Sequence, residues 1–391
     1  MELSYILNQL GEEHSEYFNA VSPPIVQTSN FQFESVHALR RAFADEFSTY
    51  LYSRGNNPTV DILRKKIAAL DGAEDALIFN SGASAIFCSI LPFVKSGAHI
   101  VSVKSPYTWA QKMMDDILPR FGVSTTCIDG TMVENWEIAC QPNTTLFYLE
   151  SPNSWTYELQ DLKKLAALAR KKGITTLIDN SYCTPLYQRP IEMGIDLSLQ
   201  SATKYIGGHS DVVGGVVSGS KDHMARIFRS EYNTTGAGAT PFHAWLLLRG
   251  LRTLPLRLER IAKTTRVVLG WLKEQPWVEG VIFPFDETFP QYKLATEQMK
   301  NAAGLLSFFI KAQTVEEVEA FCNNLKHIRM AVSWGGHESL LVPRCAGMKR
   351  EAFDASRPQH RLCRLYVGLE DDAYLIGDLE QASKALSFAR R

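Results

Sequence analysis

The sequence predicts an α/β protein built on a doubly wound sheet, followed by a smaller α+β domain. Three observations carry that prediction. The 391 residues are enough to enclose two cores. Short β-rich runs alternate with helix-length patterns from about Asp75 onward. Near residue 250 the alternation gives way to a long amphipathic stretch.

Taken in order, DALIFN (75–80) reads as a strand, and Ser81-Gly82 opens the helix-like ASAIFCSILPFV (83–94). HIVSVK (99–104) is a second strand, leading into TWAQKMMDDILPRF (108–121) as a helix. TLFYLE (145–150) precedes the helical DLKKLAALARKK (161–172), and ITTLIDN (174–180) follows as another strand. In parallel sheets of this kind ligands collect beyond the carboxyl ends of the strands. Asn80-Ser81-Gly82, Glu150-Ser151-Pro152 and Asp179-Asn180 are therefore expected to converge. PFHAWLLLRGLRTLPLRLERI (241–261) predicts one long amphipathic helix, with Arg249, Arg252, Arg257 and Arg260 on its polar side. Residues 1–50 lack the strand–helix rhythm and read as an arm packed against a neighbouring subunit.

Apolar residues make up 45% of the chain and charged residues 21%, with 41 Lys+Arg against 42 Asp+Glu. That balance supplies no global field for nucleic acid or an anionic membrane, and points to a small-molecule partner or another protein chain. Acids interrupt MELSYILNQLGEEHSEYF where a signal peptide needs an apolar core, and no apolar run reaches the length of a membrane span. Cys88, Cys127, Cys140, Cys183, Cys322, Cys345 and Cys363 contain no CxxC pair and are read as reduced thiols of a cytoplasmic protein. The nine histidines form no HxH or HExxH pattern, so no metal site is expected.

Lys204 stands without another Lys or Arg among the small and hydroxylated residues 198–219. An amine in such surroundings is expected to have a lowered pKa and to act as a nucleophile able to form a Schiff base. A lysine taken alone would more often snorkel to the surface. Ser201 and Thr203 place hydroxyls beside it, and Ser81-Gly82-Ala83 forms a strand-to-helix turn whose free amides suit a phosphate, although Ser-Gly is also ordinary capping chemistry. Asp179 is either a turn residue or a fixed anion of the kind that keeps a pyridine nitrogen protonated. Lysine, carboxylate and phosphate cradle together specify pyridoxal phosphate. Neither GxxxxGK[ST] nor GxGxxG after the first strand is present, which removes the P-loop, nicotinamide and flavin alternatives.

The motif SATKYIGGHSD (201–211) resembles the cofactor-lysine motif of the Cys/Met-metabolism, or trans-sulfuration, family of pyridoxal-phosphate enzymes. YSRGNNPT (52–59), SGASAI (81–86), LIDN (177–180), PFHAWLLLRGLRTL (241–254) and RLYVGLED (364–371) resemble further family motifs in the same order, so the likeness covers nearly the whole chain. It implies a type I aminotransferase-like fold with a large, mostly parallel seven-stranded sheet and a smaller C-terminal α+β domain. The implied organisation is an arm over 1–50, a cofactor domain over 51–249 and a C-terminal domain over 250–391, assembled as a homotetramer of two active dimers.

The resemblance also implies roles. Lys204 corresponds to the Schiff-base lysine and proton carrier, and Asp179 to the partner of the pyridine nitrogen. Gly82, Ala83, Ser201 and Thr203 correspond to phosphate-side groups, and Tyr52 and Arg54 to residues reaching the adjacent subunit's cofactor. Tyr107 corresponds to a tyrosine stacked on the ring near the reacting bond. Arg364 corresponds to the clamp on the substrate carboxylate, assisted by Ser333. As isolated residues, Tyr107 would read as core and Arg364 as a surface ion pair.

Three places depart from the family pattern. ESPNSW (150–155) replaces ETPTNP, so the asparagine near the ring hydroxyl becomes Ser154 or shifts to Asn153. Ala83 replaces a methionine, and Thr108-Trp109 replaces Gly-Gly. ESPNSW and SWGGHESL (333–340) are closest to the cystathionine β-lyase branch, with Trp334 as a pocket wall or simply a core residue. The expectation is accordingly a C–S lyase acting by β-elimination on cystathionine-like amino acids. A γ-elimination or γ-replacement enzyme is the alternative, because PFHAWLLLRGLRTL suits γ-synthases and γ-lyases equally well. A cofactor-binding regulatory protein without turnover is the alternative from another class, and the presence of Lys204, Asp179 and Tyr107 argues against it.

Overall fold

The computed structural model describes residues 1–386, which form two compact units. The first comprises Met1–Ser154, Glu158–Gly207 and Asp211–Arg252, and the second Trp155–Tyr157, Gly208–Ser210 and the chain from Thr253 onward. Among the described residues no helix is long and apolar enough to cross a membrane.

The first unit is organised by seven strands: β1 (Asp75–Phe79), β2 (His99–Val103), β3 (Ser124–Ile128), β4 (Thr144–Glu150), β5 (Thr175–Asp179), β6 (Leu197–Gln200) and β7 (Gly215–Gly219). Their order is β1-β7-β6-β5-β4-β2-β3. Only β7 runs against the rest, being antiparallel to both β1 and β6. The central strands are apolar on both faces because helices cover both. Leu146 and Tyr148 of β4 enter one core cluster while Phe147 and Leu149 enter the other. β3, like β6 and β7, is not among the strands read from the sequence. It lies at the sheet edge and reads STTCI, without the apolar run a buried strand requires.

Local chemistry fixes the helices between strands. The helix Leu162–Lys172 starts where Asp161 accepts from Lys164 N and stops at Gly173, whose φ of 69° suits glycine. Its buried face is Leu162, Leu165, Ala166 and Ala169. The 108–121 segment is not one regular helix: an α-turn over Thr108–Lys112 widens at Met113–Ile117 and tightens at Leu118–Phe121, around Pro119, which has no N–H to give.

The expected long helix after residue 241 is two helices, Pro241–Arg252 and Leu254–Glu274. Thr253 leaves the helical region (φ −101°, ψ 2°), and Pro255 in the next first turn cannot continue the hydrogen-bond ladder. Arg257 is also not on a polar face. It is 6% exposed, its Nε donates to Thr253 Oγ1 at 3.1 Å, and its guanidinium occupies the space that a side chain at Gly208 would need. Arg249 and Arg260 are exposed and Arg252 is half-buried.

The second unit holds β8 (Val278–Ile282), β9 (Leu305–Ile310), β10 (Arg329–Met330), β11 (Leu340–Pro343) and β12 (Leu362–Tyr366), in the order β10-β11-β12-β9-β8. It is a mixed sheet, parallel only between β10 and β11. The helices Leu254–Glu274, Val315–Asn323 and Asp372–Ser383 complete this α+β unit. Five of the seven cysteines are buried thiols, Cys140 is half-buried and Cys127 is exposed.

Candidate active site

The sheet topology brings the polar strand ends together. Because β1, β2, β4, β5 and β6 run the same way, their carboxyl ends share one edge of the sheet. At that edge β1 delivers Ser81 and Gly82, β4 ends at Glu150, β5 ends at Asp179, and β6 leads into the loop that carries Ser201, Thr203 and Lys204.

Asp179 is 9% exposed, and its Oδ1 accepts from Ser181 N at 2.9 Å. Ser181 Oγ in turn accepts from Ser201 N at 2.6 Å, so one serine ties the β5 carboxylate to the loop after β6. Burial pushes the Asp179 pKa up, while the bonds from Ser181 and the nearby charge of Lys204 draw it part of the way back. Lys204 itself is half-buried, with its backbone N–H bonded to Ser201 O at 3.1 Å. Thr203 and Gly214 brace the loop from both sides: Thr203 Oγ1 donates to Gly214 O and accepts from Gly214 N at 3.0 Å.

The phosphate-side candidates also meet. Ser81 caps the helix Gly82–Ile90 in a reciprocal box with Ser84, which leaves Gly82 and Ala83 in the first turn, where the helix has no use for the amides. A Cβ on Gly82 would come within 3.0 Å of Ser201 Oγ, so glycine is what lets this turn close on the lysine loop.

Glu150, noted in the sequence only as a strand end, organises the other side. It pairs in register with Asp179 on the neighbouring strand and is fully desolvated. Its Oε2 accepts from Tyr107 N, and its Oε1 accepts from both the N–H (2.9 Å) and the hydroxyl of Ser154. Burial, then the charge of Asp179, pushes Glu150 up to about 7. Burial and the same two carboxylates raise the Tyr107 phenol, which keeps it protonated at neutral pH. Asn153 directs its Nδ2 to Ser105 O at 3.0 Å. Glu150 is where the sequence expected a converging strand end, though with no role assigned. Ser181 is the site-edge residue that sequence reasoning missed, its signal being only its place just after an apolar strand.

Tyr52 and Arg54 form an exposed pair of their own, with the guanidinium 5.2 Å from the ring centroid. In the second unit, Arg364 lies on β12 with its guanidinium 4.7 Å from the Trp155 ring. Ser333 has a left-handed backbone (φ 80°), and Trp334 is 9% exposed.

The sequence pattern of the Cys/Met metabolism PLP-dependent enzymes matches residues 6–384. The chain belongs to this family. It is 37% identical over 376 residues to an L-methionine gamma-lyase of Porphyromonas gingivalis, covering 94% of both chains. It is 35% identical over 371 residues to the human cystathionine gamma-lyase, covering 94% of this chain and 89% of that one. Its fold superposes on the crystal structure of metB from Corynebacterium glutamicum with a TM-score of 0.90 at 31% identity, over 98% of each chain. This is the α/β architecture expected from the sequence, and the family is pyridoxal-phosphate dependent. The relatives carry γ-lyase names, which favours the γ-reaction over the expected β-elimination.

The residues present fit the cofactor. Two buried carboxylates on adjacent strands leave a site that a protonated ring nitrogen would neutralise, and the Gly82–Ser201 contact shapes a close turn of backbone donors for a phosphate.

Proposed function

We propose that this enzyme is a C–S lyase acting by γ-elimination on sulfur-containing amino acids. The observation that carries the reading is near-full-length similarity to methionine and cystathionine γ-lyases, joined to a strand-end cluster of Lys204, Asp179 and Tyr107.

In this reading Lys204 holds pyridoxal phosphate through Nζ, and Asp179 faces the ring nitrogen. Gly82, Ala83, Ser201 and Thr203 surround the phosphate, with Tyr52 and Arg54 reaching it from an adjacent subunit, and Ser154 lies toward the ring hydroxyl. When bound, the cofactor supplies an electron sink for charge developed on the substrate. Lys204 Nζ is freed when the substrate amine takes its place on the cofactor. It takes the Cα proton, hands it on to the cofactor-bound substrate, and then as a neutral amine takes the Cβ proton that must also leave before the γ-substituent departs. Tyr107 Oη, kept protonated by burial and its acidic neighbours, donates to the departing sulfur. Arg364 holds the α-carboxylate through paired hydrogen bonds, with Ser333 beside it and Trp334 as a wall. Trp109 is more than half exposed and adds bulk where other family members have glycine.

The assembly belongs to the same proposal: a homotetramer made of two active dimers. Phe18, Val21, Val36 and Phe43 are exposed within the first 50 residues, an apolar surface that a neighbouring subunit would cover. Product analysis tests the reaction. Holoenzyme supplied with methionine or cystathionine is expected to release 2-oxobutyrate in excess of pyruvate. Pyruvate as the main product from cystathionine would return the chain to β-elimination, and rapid replacement of the γ-group by added cysteine would make it a γ-synthase.

A further inference from the structure

Trp155 carries two cations. Its ring centroid lies 4.7 Å from the guanidinium carbon of Arg364 and 5.1 Å from that of Arg344. Those two distances from one point put the guanidiniums no more than about 10 Å apart. All three residues belong to the second unit and all are half-buried. Strand register explains the meeting. Val342 and Pro343 of β11 pair with Arg364 and Cys363 of β12, and Arg344 follows β11 directly. The backbone at Trp155 is held in place, since Trp155 O accepts from Ser307 Oγ at 3.0 Å, and Ser307 Oγ bonds Tyr157 Oη at 2.9 Å.

A guanidinium set near a second cation is stabilised by an anion, and for Arg344 the described residues supply none. Among the described residues, no carboxylate lies within ion-pair distance of Arg344, and only burial acts on its titration. An indole face compensates a guanidinium only in part, and half-buried arginines ordinarily find a carboxylate or phosphate. Trp155 also stands where the family motif has proline, so the platform itself is a departure from the family pattern.

We propose that Arg344 binds the second carboxylate of a dicarboxylic amino-acid substrate whose α-carboxylate is held by Arg364, with Trp155 as their shared platform. The proposal rests on the reading of Arg364 as the α-carboxylate clamp. It deepens the γ-lyase assignment by selecting a thioether with a carboxylate at each end, as in cystathionine, over one ending in methyl, as in methionine. A separation of up to about 10 Å between the cations suits carboxylates joined by a chain of several atoms.

The test compares two substrates and two inert probes on the holoenzyme. In Arg344→Leu the ratio of kcat/KM for cystathionine to that for methionine should fall roughly ten- to a hundredfold, the loss of one charge-assisted contact. Arg344→Lys, which keeps the charge without the planar fork, should recover part of it. Calorimetry on wild-type enzyme should show glutarate binding more tightly than butyrate, with the preference lost in Arg344→Leu. A substrate ratio unmoved in Arg344→Leu, or no glutarate preference in the wild type, overturns the proposal and leaves Arg344 as packing for Trp155. Glutarate carries no leaving group, so this arm stands or falls independently of whether cystathionine yields 2-oxobutyrate.

Discussion

Glu150 ties the segments carrying Tyr107 and Ser154 to the end of β4 in the first unit. Its two oxygens take three donors from Tyr107 and Ser154, and neither residue is adjacent to it in sequence. In Glu150→Gln one oxygen becomes an NH₂ facing an N–H donor, so either Tyr107 or Ser154 loses its anchor. Losing a hydrogen bond to a charged acceptor costs about 1.5–3 kcal/mol, so kcat should fall roughly ten- to a hundredfold. Bound pyridoxal phosphate should remain near stoichiometric, because the lysine and the turn at Gly82 are untouched. Turnover at the wild-type rate would show that Tyr107 needs no such anchor. Lys204 and Asp179 were legible in the sequence because each stands out chemically from its neighbours. For Glu150 the place was legible but not the role, since an acid ending an apolar strand looks the same whether it faces solvent or holds two loops. Trp155 and Arg344 were hidden for another reason: 189 positions separate them, and only the folded second unit brings the guanidinium to the indole.

At the scale of elements, the strands with apolar runs and the helices with capping residues follow from local pattern, because burial on both sheet faces demands continuous apolar stretches. β3 and the break at Thr253 escape that logic, one because an edge strand tolerates polar residues and the other because amphipathic spacing continues across it. A buried acid joins two elements here. Asp71, the last residue of the helix Pro58–Asp71, accepts from Ser218 Oγ on β7 and from Gln200 Nε2 on β6 at 3.2 Å. Burial pushes its pKa up to about 7, with Ser218, Arg189 and Gln200 pulling back less strongly. A carboxyl whose folded pKa lies above its unfolded one stabilises fully below about 4, and that contribution is lost as pH rises through about 7. Asp71→Asn removes the titration. Gln200 Oε1 is buried without a partner, so a flip of that amide would let it accept from the introduced NH₂. Between pH 5 and 8 the wild type should lose stability relative to Asp71→Asn, by up to about 3 kcal/mol, two pKa units at about 1.4 kcal/mol each. Urea midpoints of both proteins across that range measure it, and parallel profiles would mean Asp71 stays ionised throughout.

At the scale of the whole molecule the question is whether one chain can complete a site. Arg54 is exposed, its guanidinium rests near Tyr52, and no carboxylate of the described residues accepts from it. Arginine exposed beside an aromatic ring is suited to grip phosphate oxygens in pairs, and the apolar residues exposed in 1–50 mark a surface that association would cover. If Arg54 serves the neighbour's cofactor, each site in a two-fold dimer draws Lys204 from one chain and Arg54 from the other. Arg54→Ala and Lys204→Ala homodimers should then both be nearly inactive, for different reasons. A hybrid dimer has one site in which both residues are intact and one in which both are lost. Random exchange makes about half the dimers hybrid, so the mixture should recover about a quarter of wild-type activity. If Arg54 instead serves its own chain's site, every site in the hybrid lacks one of the two residues, and mixing recovers nothing. Verified exchange, followed by native mass spectrometry and a 2-oxobutyrate assay on the same sample, distinguishes the two arrangements without requiring either variant to be active alone.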